Sequence, residues 1–301
     1  MRAIVTGGAG FIGSHVADAL LARGAEVHVV DNLASGKRAN VPDGAKLHER
    51  DIREPLDDLF AELHPDACLH LAAQADVRVS VADPDYDAAV NVVGTIRVLE
   101  GARTNGARVV FASTGGAIYG ECERPAREDD PREPLSPYGV SKLAGEEYLA
   151  AYNRLHGTRH VSLRYANVYG PRQDPHGEAG VVAIFFNRLA AGERPRIFGD
   201  GRQTRDYVYV GDVVAATLTA LDRDGGVFNV GTGVETSVVE LFHACTRASG
   251  IEVEPEYAPP RLGELQRSVL DPGLAGAELG WRPDVGLAGG LLETWRSIAG
   301  S

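Results

Sequence analysis

The sequence predicts an α/β protein: a doubly wound, mainly parallel sheet over residues 1–166 and a smaller C-terminal domain over 167–301, some segments of which return to the sheet. Three observations lead there. A short apolar run at the N-terminus passes through a glycine-rich turn into a helical pattern and then a second apolar run. Strand-like and helix-like stretches continue to alternate, and beyond about residue 167 the alternation loosens. Such alternation implies parallel strands joined by right-handed crossovers, with ligands gathered at the carboxyl edge of the sheet. With 301 residues at 44% hydrophobic content, the chain can bury one large core or two modest ones.

Ala3-Ile4-Val5-Thr6 reads as the first strand, and Gly7-Gly8-Ala9-Gly10-Phe11-Ile12-Gly13 follows, satisfying both G-x-x-G-x-x-G and G-x-G-x-x-G. A helical pattern starts at Ser14 (Val16, Leu20, Leu21), Gly24 stops it, and Val27-His28-Val29-Val30 forms the next strand, ending in Asp31. Glycines in this place let the backbone approach a pyrophosphate at a helix N-terminus. An acid closing the second strand accepts hydrogen bonds from an adenosine ribose. The unit reads as a Rossmann dinucleotide site. Asp31 repels a 2′-phosphate and favours NAD, while Lys37 and Arg38 nearby leave NADP open. Ala67 to Leu71, Arg108 to Ala112 and His160 to Arg164 read as further strands, and Val90 to Gly101 as a helix. Past Arg164 come a long loop from Gly170 to Gly180, a helix from Val181 to Gly192, a strand near Tyr207 to Val210, and a helix from Asp212 to Leu221.

Tyr138-Gly-Val-Ser-Lys142 carries the chemistry. Ser136-Pro137 reads as N-cap and first helical position, and Gly157 closes the apolar run Leu143, Tyr148, Leu149, Tyr152, Leu155. Tyr138 and Lys142, four residues apart, then share one helix face. A free tyrosine holds its proton to about pH 10. An ammonium about 4 Å away favours the phenolate by roughly 4 kcal/mol at an effective dielectric near 20, and the helix N-terminus adds to this. The pair can act as a proton acceptor; it can equally be an ordinary helical pair.

Other features narrow the class. A net charge of −12 argues against a nucleic-acid surface. Cys68, Cys122 and Cys245 are scattered, odd in number and without metal-ligand spacing, so a reducing compartment and no metal centre are expected. The longest apolar run, Val181 to Phe186, is far too short to span a bilayer, and the chain enters its first strand without a signal-like segment. A cytoplasmic protein without nucleic-acid or membrane partners is the expectation.

Together the motifs resemble the extended short-chain dehydrogenase/reductases and, within them, the UDP-glucose 4-epimerases, a group of NAD-dependent epimerases and dehydratases. The residues that carry this are Thr6 to His15, Asp31-Asn32-Leu33, Asp51-Ile52, His70-Leu71-Ala72-Ala73-Gln74, Ser113 to Gly120, Tyr138 to Lys142 and Arg164 to Arg172. The similarity runs on through Arg205 to Val210, Phe228 to Gly233 and Leu279 to Pro283. The resemblance implies that Gly7, Gly10, Phe11, Ile12 and Gly13 hold the NAD pyrophosphate and that Asp31, Asn32, Ser35 and Gly36 surround the adenosine ribose. It places Asp51 and Ile52 at the adenine, and Leu71, Ala72, Ala73, Gln74, Asn91, Ser113 and Tyr165 along the nicotinamide half. Tyr138 becomes the acid/base, Lys142 also binds the nicotinamide ribose, and Thr114 hydrogen-bonds the reacting sugar oxygen. An additional glycine around Gly115-Gly116 leaves Ser113 or Thr114 as the catalytic hydroxyl, with Thr114 favoured.

The activity so implied is inversion of a UDP-hexose at C4 through a transient 4-keto sugar, with NAD retained. Asn167, Val182, Arg205, Arg261 and Glu264 match the family's nucleotide-binding positions, arginine being suited to phosphate by its planar fork. Ser268 matches a position whose small size admits an N-acetyl group, so UDP-N-acetylglucosamine is expected to fit alongside UDP-glucose; a UDP-uronic acid is also conceivable. The resemblance further implies a homodimer through the Tyr138 to Leu155 and Val90 to Ala102 helices. Three other readings stand beside this one. A 4,6-dehydratase needs an Asp-Glu pair where Gly115-Gly116 stands, a net reductase needs exchanging NADPH, and a non-enzymatic dinucleotide-binding protein has no need of Thr114, Tyr138 and Lys142 together.

Overall fold

The computed structural model describes residues 1–175, 180–260 and 265–300. Its centre is a seven-stranded sheet with spatial order β10-β6-β5-β4-β1-β2-β3. These strands are β1 (Arg2–Thr6), β2 (Glu26–Asp31), β3 (Lys46–Glu49), β4 (Ala67–His70), β5 (Arg108–Thr114), β6 (Val161–Tyr165) and, from late in the chain, β10 (Gly226–Val230). Every pairing within it is parallel, so the strands all end at one edge. The order reverses between β1 and β4, where a doubly wound sheet opens a crevice.

Helices cover both faces, as a parallel sheet requires. Val16 and Leu20 of the Phe11–Ala22 helix pack with Val213 and Leu218 of the Val210–Thr219 helix on one side. Leu59, Phe60, Val98, Leu99 and Leu149 fill the other. The remaining strands form two small sheets. In one, β9 (Thr204–Tyr209) lies parallel to β7 (Asn167–Tyr169) and β13 (Arg267–Ser268) and antiparallel to β11 (Glu235–Ser237). In the other, β8 (Arg196–Phe198) pairs with β12 (Glu256–Ala258). The helices Val181–Ala190, Val238–Ser249 and Leu287–Ala299 enclose a separate core around Phe185, Phe186, Phe242 and Leu291.

Three boundaries depart most from the sequence reading. The first helix begins at Phe11, not Ser14, because Gly10 is its N-cap and Gly13 lies inside the first turn. The helix expected from Val90 is the later part of a longer run. Asp83 caps Pro84–Ala88 by accepting from the Tyr86 amide, a π-helical turn spans Ala89–Val93, and Gly94–Asn105 completes it. The strand expected near Tyr207 begins at Thr204, since β11 and β13 pair with Thr204 to Asp206 while β7 pairs with Tyr207 to Tyr209. The long helix runs Pro137–His156 between a Ser136 N-cap and a left-handed Gly157.

Two histidines tie the sheet's stability to pH. His70 at the end of β4 is fully buried between the Thr6 hydroxyl (2.7 Å) and that of Thr95 (3.0 Å), and burial, with the Lys142 charge nearby, lowers its pKa to about 3. Burial likewise brings His160 down to about 4. Both sites stay neutral in the fold while an unfolded histidine takes up a proton near pH 6.5, so stability is lost as pH falls below that value. The expected loss is about 1.4 kcal/mol per pH unit and site. Urea unfolding between pH 7 and 4.5 should show a shallower decline for His70→Asn than for the parent; equal slopes would exclude His70 as a source.

Candidate active site

The carboxyl ends of the parallel strands open into one cleft of about 850 Å³. At its first end, β1 delivers the glycine turn. Gly7 has φ +70°, and a side chain on it would strike the Ala72 backbone. A Cβ on Gly13 would lie 2.1 Å from the Gly7 carbonyl oxygen, so helix and turn approach this closely only without one. Gly10 offers no side-chain cap, leaving the first-turn amides to a ligand. Asp31, closing β2, is oriented by the amides of Ala9 (3.0 Å) and Leu33 (2.8 Å). Asp51 accepts from Arg53 and from the Asn32 amide group (2.9 Å), and the Arg53 hydrogen bonds hold its carboxyl far below the usual carboxylate range. Phe11, Ile12, Asn32, Ser35, Gly36, Asp51 and Ile52 line this end of the cleft.

Leu71, Ala72, Ala73 and Gln74 follow β4 and form the middle wall. Asn91 is buried behind them, where it accepts from the Gln74 amide and donates to its carbonyl (2.9 Å each). Tyr165 lines the cleft with its ring while its hydroxyl bonds Thr217 (2.8 Å). Strand alternation at the end of β5 separates the two candidate hydroxyls. The Ser113 hydroxyl donates to Glu146 inside the core. Thr114, one residue on, lines the cleft and makes no side-chain hydrogen bond to any described residue. Tyr138 enters from the first turn of its helix and Lys142 from the next turn.

Lys142 is 3% exposed and its ammonium sits 4.6 Å from the centre of the Phe111 ring. Burial lowers its pKa to about 8 against the opposing pull of Asp87 and Glu146. A tyrosine, a partly acidic lysine and an accessible threonine hydroxyl on one wall are suited to moving a proton on and off an alcohol oxygen.

The other end is lined by Asn167, Val182 and Arg205, joined by Arg188, Arg196, Phe198, Gln203 and Tyr207. Tyr207 falls in the Arg205 to Val210 segment that carries the resemblance; Arg188, Arg196, Phe198 and Gln203 carry no spacing signal, since they come from a helix, from β8 and from the loop after it, which only the fold brings together. Arg188 donates to the Arg194 carbonyl (3.0 Å) and Arg196 to Glu256 (3.1 Å). Ser268 is buried in β13, opposite the cleft-lining Arg205 of β9. Arg261 and Glu264 lie outside the described residues.

A glycine turn that cannot carry side chains, an acid held by two amides, and a proton-transfer group further along one cleft define the dinucleotide-dependent class. The chain belongs to the NAD dependent epimerase/dehydratase family, whose model matches residues 3–231. It is similar to the UDP-glucose 4-epimerase of Mycolicibacterium smegmatis, with 51% identity over 98% of this chain and 97% of that one. Among solved structures it resembles the UDP-glucose 4-epimerase of Thermotoga maritima with UDP-glucose (TM-score 0.97, 47% identity, 99% and 98% covered). The same holds for the UDP-glucose 4-epimerase of Thermus thermophilus in complex with NAD (TM-score 0.95, 50% identity, 100% of both chains).

The residues present fit NAD. Besides Asp31, the two cations that could receive a 2′-phosphate are engaged by carboxylates, Lys37 with Asp174 (2.7 Å) and Arg38 with Glu49. Gly13→Val should therefore abolish nucleotide retention. Protein purified from cells and then denatured should release close to one NAD per chain in the parent and almost none in the variant; equal release would refute this use of the turn.

Proposed function

We propose that this chain is an isomerase, a UDP-glucose 4-epimerase that interconverts UDP-glucose and UDP-galactose through a transient 4-keto sugar. One observation carries the reading: a single cleft runs from the glycine turn past Thr114, Tyr138 and Lys142 to a wall bearing Arg188, Arg196 and Arg205. Residues 1–166 chiefly hold NAD by the glycine turn, Asp31 and Asp51, and residues 167–301 chiefly hold the nucleotide sugar. The chemistry that NAD supplies when bound is reversible hydride exchange at C4 of the sugar. Tyr138 takes the proton from the 4-hydroxyl and later returns it, Lys142 stabilises the phenolate by its charge, and Thr114 hydrogen-bonds the same oxygen. The arginines hold the diphosphate by bidentate bonds, leaving the hexose free to present either face.

Against a dehydratase, a side chain at Gly115 would lie 2.4 Å from Leu270, so the acid that such chemistry wants after the threonine has no room. Ser268, small and next to the cleft-lining Arg205 on the paired strand, leaves UDP-N-acetylglucosamine as a second substrate to be tried beside UDP-glucose.

Proton NMR of the purified protein with UDP-glucose and no added cofactor should show the anomeric signal of the galacto product. No conversion, even with added NAD, would sink the assignment. Tyr138→Phe should lower kcat by about 10²- to 10⁴-fold and Thr114→Val by about 10²-fold, each with NAD retained. Ser113→Ala should cost less in kcat; a larger loss for Ser113→Ala than for Thr114→Val would reverse the two assignments.

The active form is proposed to be a homodimer. Val140 (53% exposed), Tyr148 and Leu155 (75% exposed) of the Pro137–His156 helix, with Val93 just before the Gly94–Asn105 helix, leave apolar side chains in water that a second copy would cover. Sedimentation should give a dimer for the parent and a monomer for Val140→Glu/Leu155→Glu; a monomeric parent at micromolar concentration would contradict it.

A further inference from the structure

Asp87 is a buried carboxylate to which the proposed reaction assigns no part. It lies in the Pro84–Ala88 helix, which packs on the helix of Tyr138 and Lys142, and is 1% exposed. Its Oδ1 accepts from Gln74 Nε2 (2.9 Å) and Asn91 Nδ2 (3.0 Å), whereas Oδ2 has no hydrogen-bond partner and the carboxylate no ion pair among the described residues. The π-helical turn that follows sets Asn91 where its amide also reaches the Ser141 hydroxyl (3.1 Å), which in turn donates to the Tyr138 carbonyl (3.0 Å). The carboxylate is thereby fixed to the very helix that carries the acid/base pair.

We infer that Asp87 is a positioning residue of the acid/base site, the buried counter-charge that holds Lys142 in its ammonium form one helical turn from Tyr138. The inference rests on the proposed role of Lys142. The charged and titratable groups facing that lysine are few. From its own helix come Tyr138 and Glu146, from β4 His70, and from the Pro84–Ala88 helix Asp87, while β5 presents the uncharged Phe111 ring. Glu146 is neutralised by a bidentate pair with Arg164 (2.7 to 3.1 Å). His70 is neutral throughout the working range. Asp87 is left as the facing carboxylate that no described cation pairs with, and a buried ammonium without a counter-charge sheds its proton.

The chain has three lysines, Lys37, Lys46 and Lys142, so carbon NMR of the NAD-loaded protein labelled at lysine Cε gives each a resolved titration. Lys142 should titrate near pH 8 in the parent. In Asp87→Asn its midpoint should fall by at least about one pH unit, with Lys37 and Lys46 unmoved, and Asp87→Glu should bring it back toward the parent. The alkaline limb of kcat should move with it while KM for UDP-glucose changes by less than about threefold, the pattern of a group felt chiefly in the transition state. An unchanged Lys142 midpoint in folded, NAD-loaded Asp87→Asn overturns the inference. Should that variant not fold, aspartate-Cγ labelling of the parent decides: an ionised Asp87 with a shift step at the Lys142 midpoint supports it, and a protonated Asp87 at pH 7 or no step overturns it. Because the midpoint is read without turnover, a chain that epimerises no sugar yet shows the shift would refute the proposed function and leave this pairing standing.

Discussion

Arg164 and Glu146 form the interaction on which the site's geometry depends. Both are almost fully buried, and the guanidinium meets the carboxylate through Nε and a terminal nitrogen. Taking two charges out of water is expensive, and the pair holds only because its remaining bonds are satisfied. Ser113 donates to the same carboxylate, and Arg164 donates to Tyr119 (2.6 Å) and the Glu128 carbonyl (3.0 Å). Tyr119 in turn donates to Asn229 (2.8 Å). One ion pair thus ties together the ends of β5, β6 and β10 and the Pro137–His156 helix. Loss of either member would strand the other charge, which costs about 3–5 kcal/mol, and would loosen Lys142, one turn from Glu146, and Thr114, next to the Ser113 that donates to Glu146.

The cleft above this network is graded in charge. Asp31, held by amides, and Asp51, held by Arg53, stand at the glycine-turn end with Arg50 beside them, three arginines line the other end, and the middle wall is mostly small and neutral. The reacting centre falls where burial, not a neighbouring formal charge, is the largest influence on Lys142.

Much of the fold was legible because local rules and the final structure agree. The Ser136-Pro137 start and Gly157 stop of the long helix are local signals, and they hold. So does the strand, glycine turn, helix, strand order at the N-terminus, although the helix starts three residues early because a glycine cap leaves no side-chain mark. The run from Pro84 was missed because Asp83-Pro84 is a capping signal placed before a stretch with little apolar periodicity. The site was legible only where motifs carry it. Arg188 and Arg196 look like ordinary surface cations in sequence, and nothing in the spacing of Ser268 says that it faces inward.

What the sequence alone determined is the parallel sheet and the residue types at its carboxyl edge, since strand alternation, glycine turns and helix caps act over a few residues. The choice between Ser113 and Thr114 is different in kind. Both residues line the cleft, and what separates them is Glu146, which takes the Ser113 hydroxyl as a donor and leaves that of Thr114 without a described partner. The charge partner of Lys142 likewise comes from a helix more than fifty residues earlier. Burial and long-range electrostatics are properties of the packed chain, and they alone decide which polar groups meet.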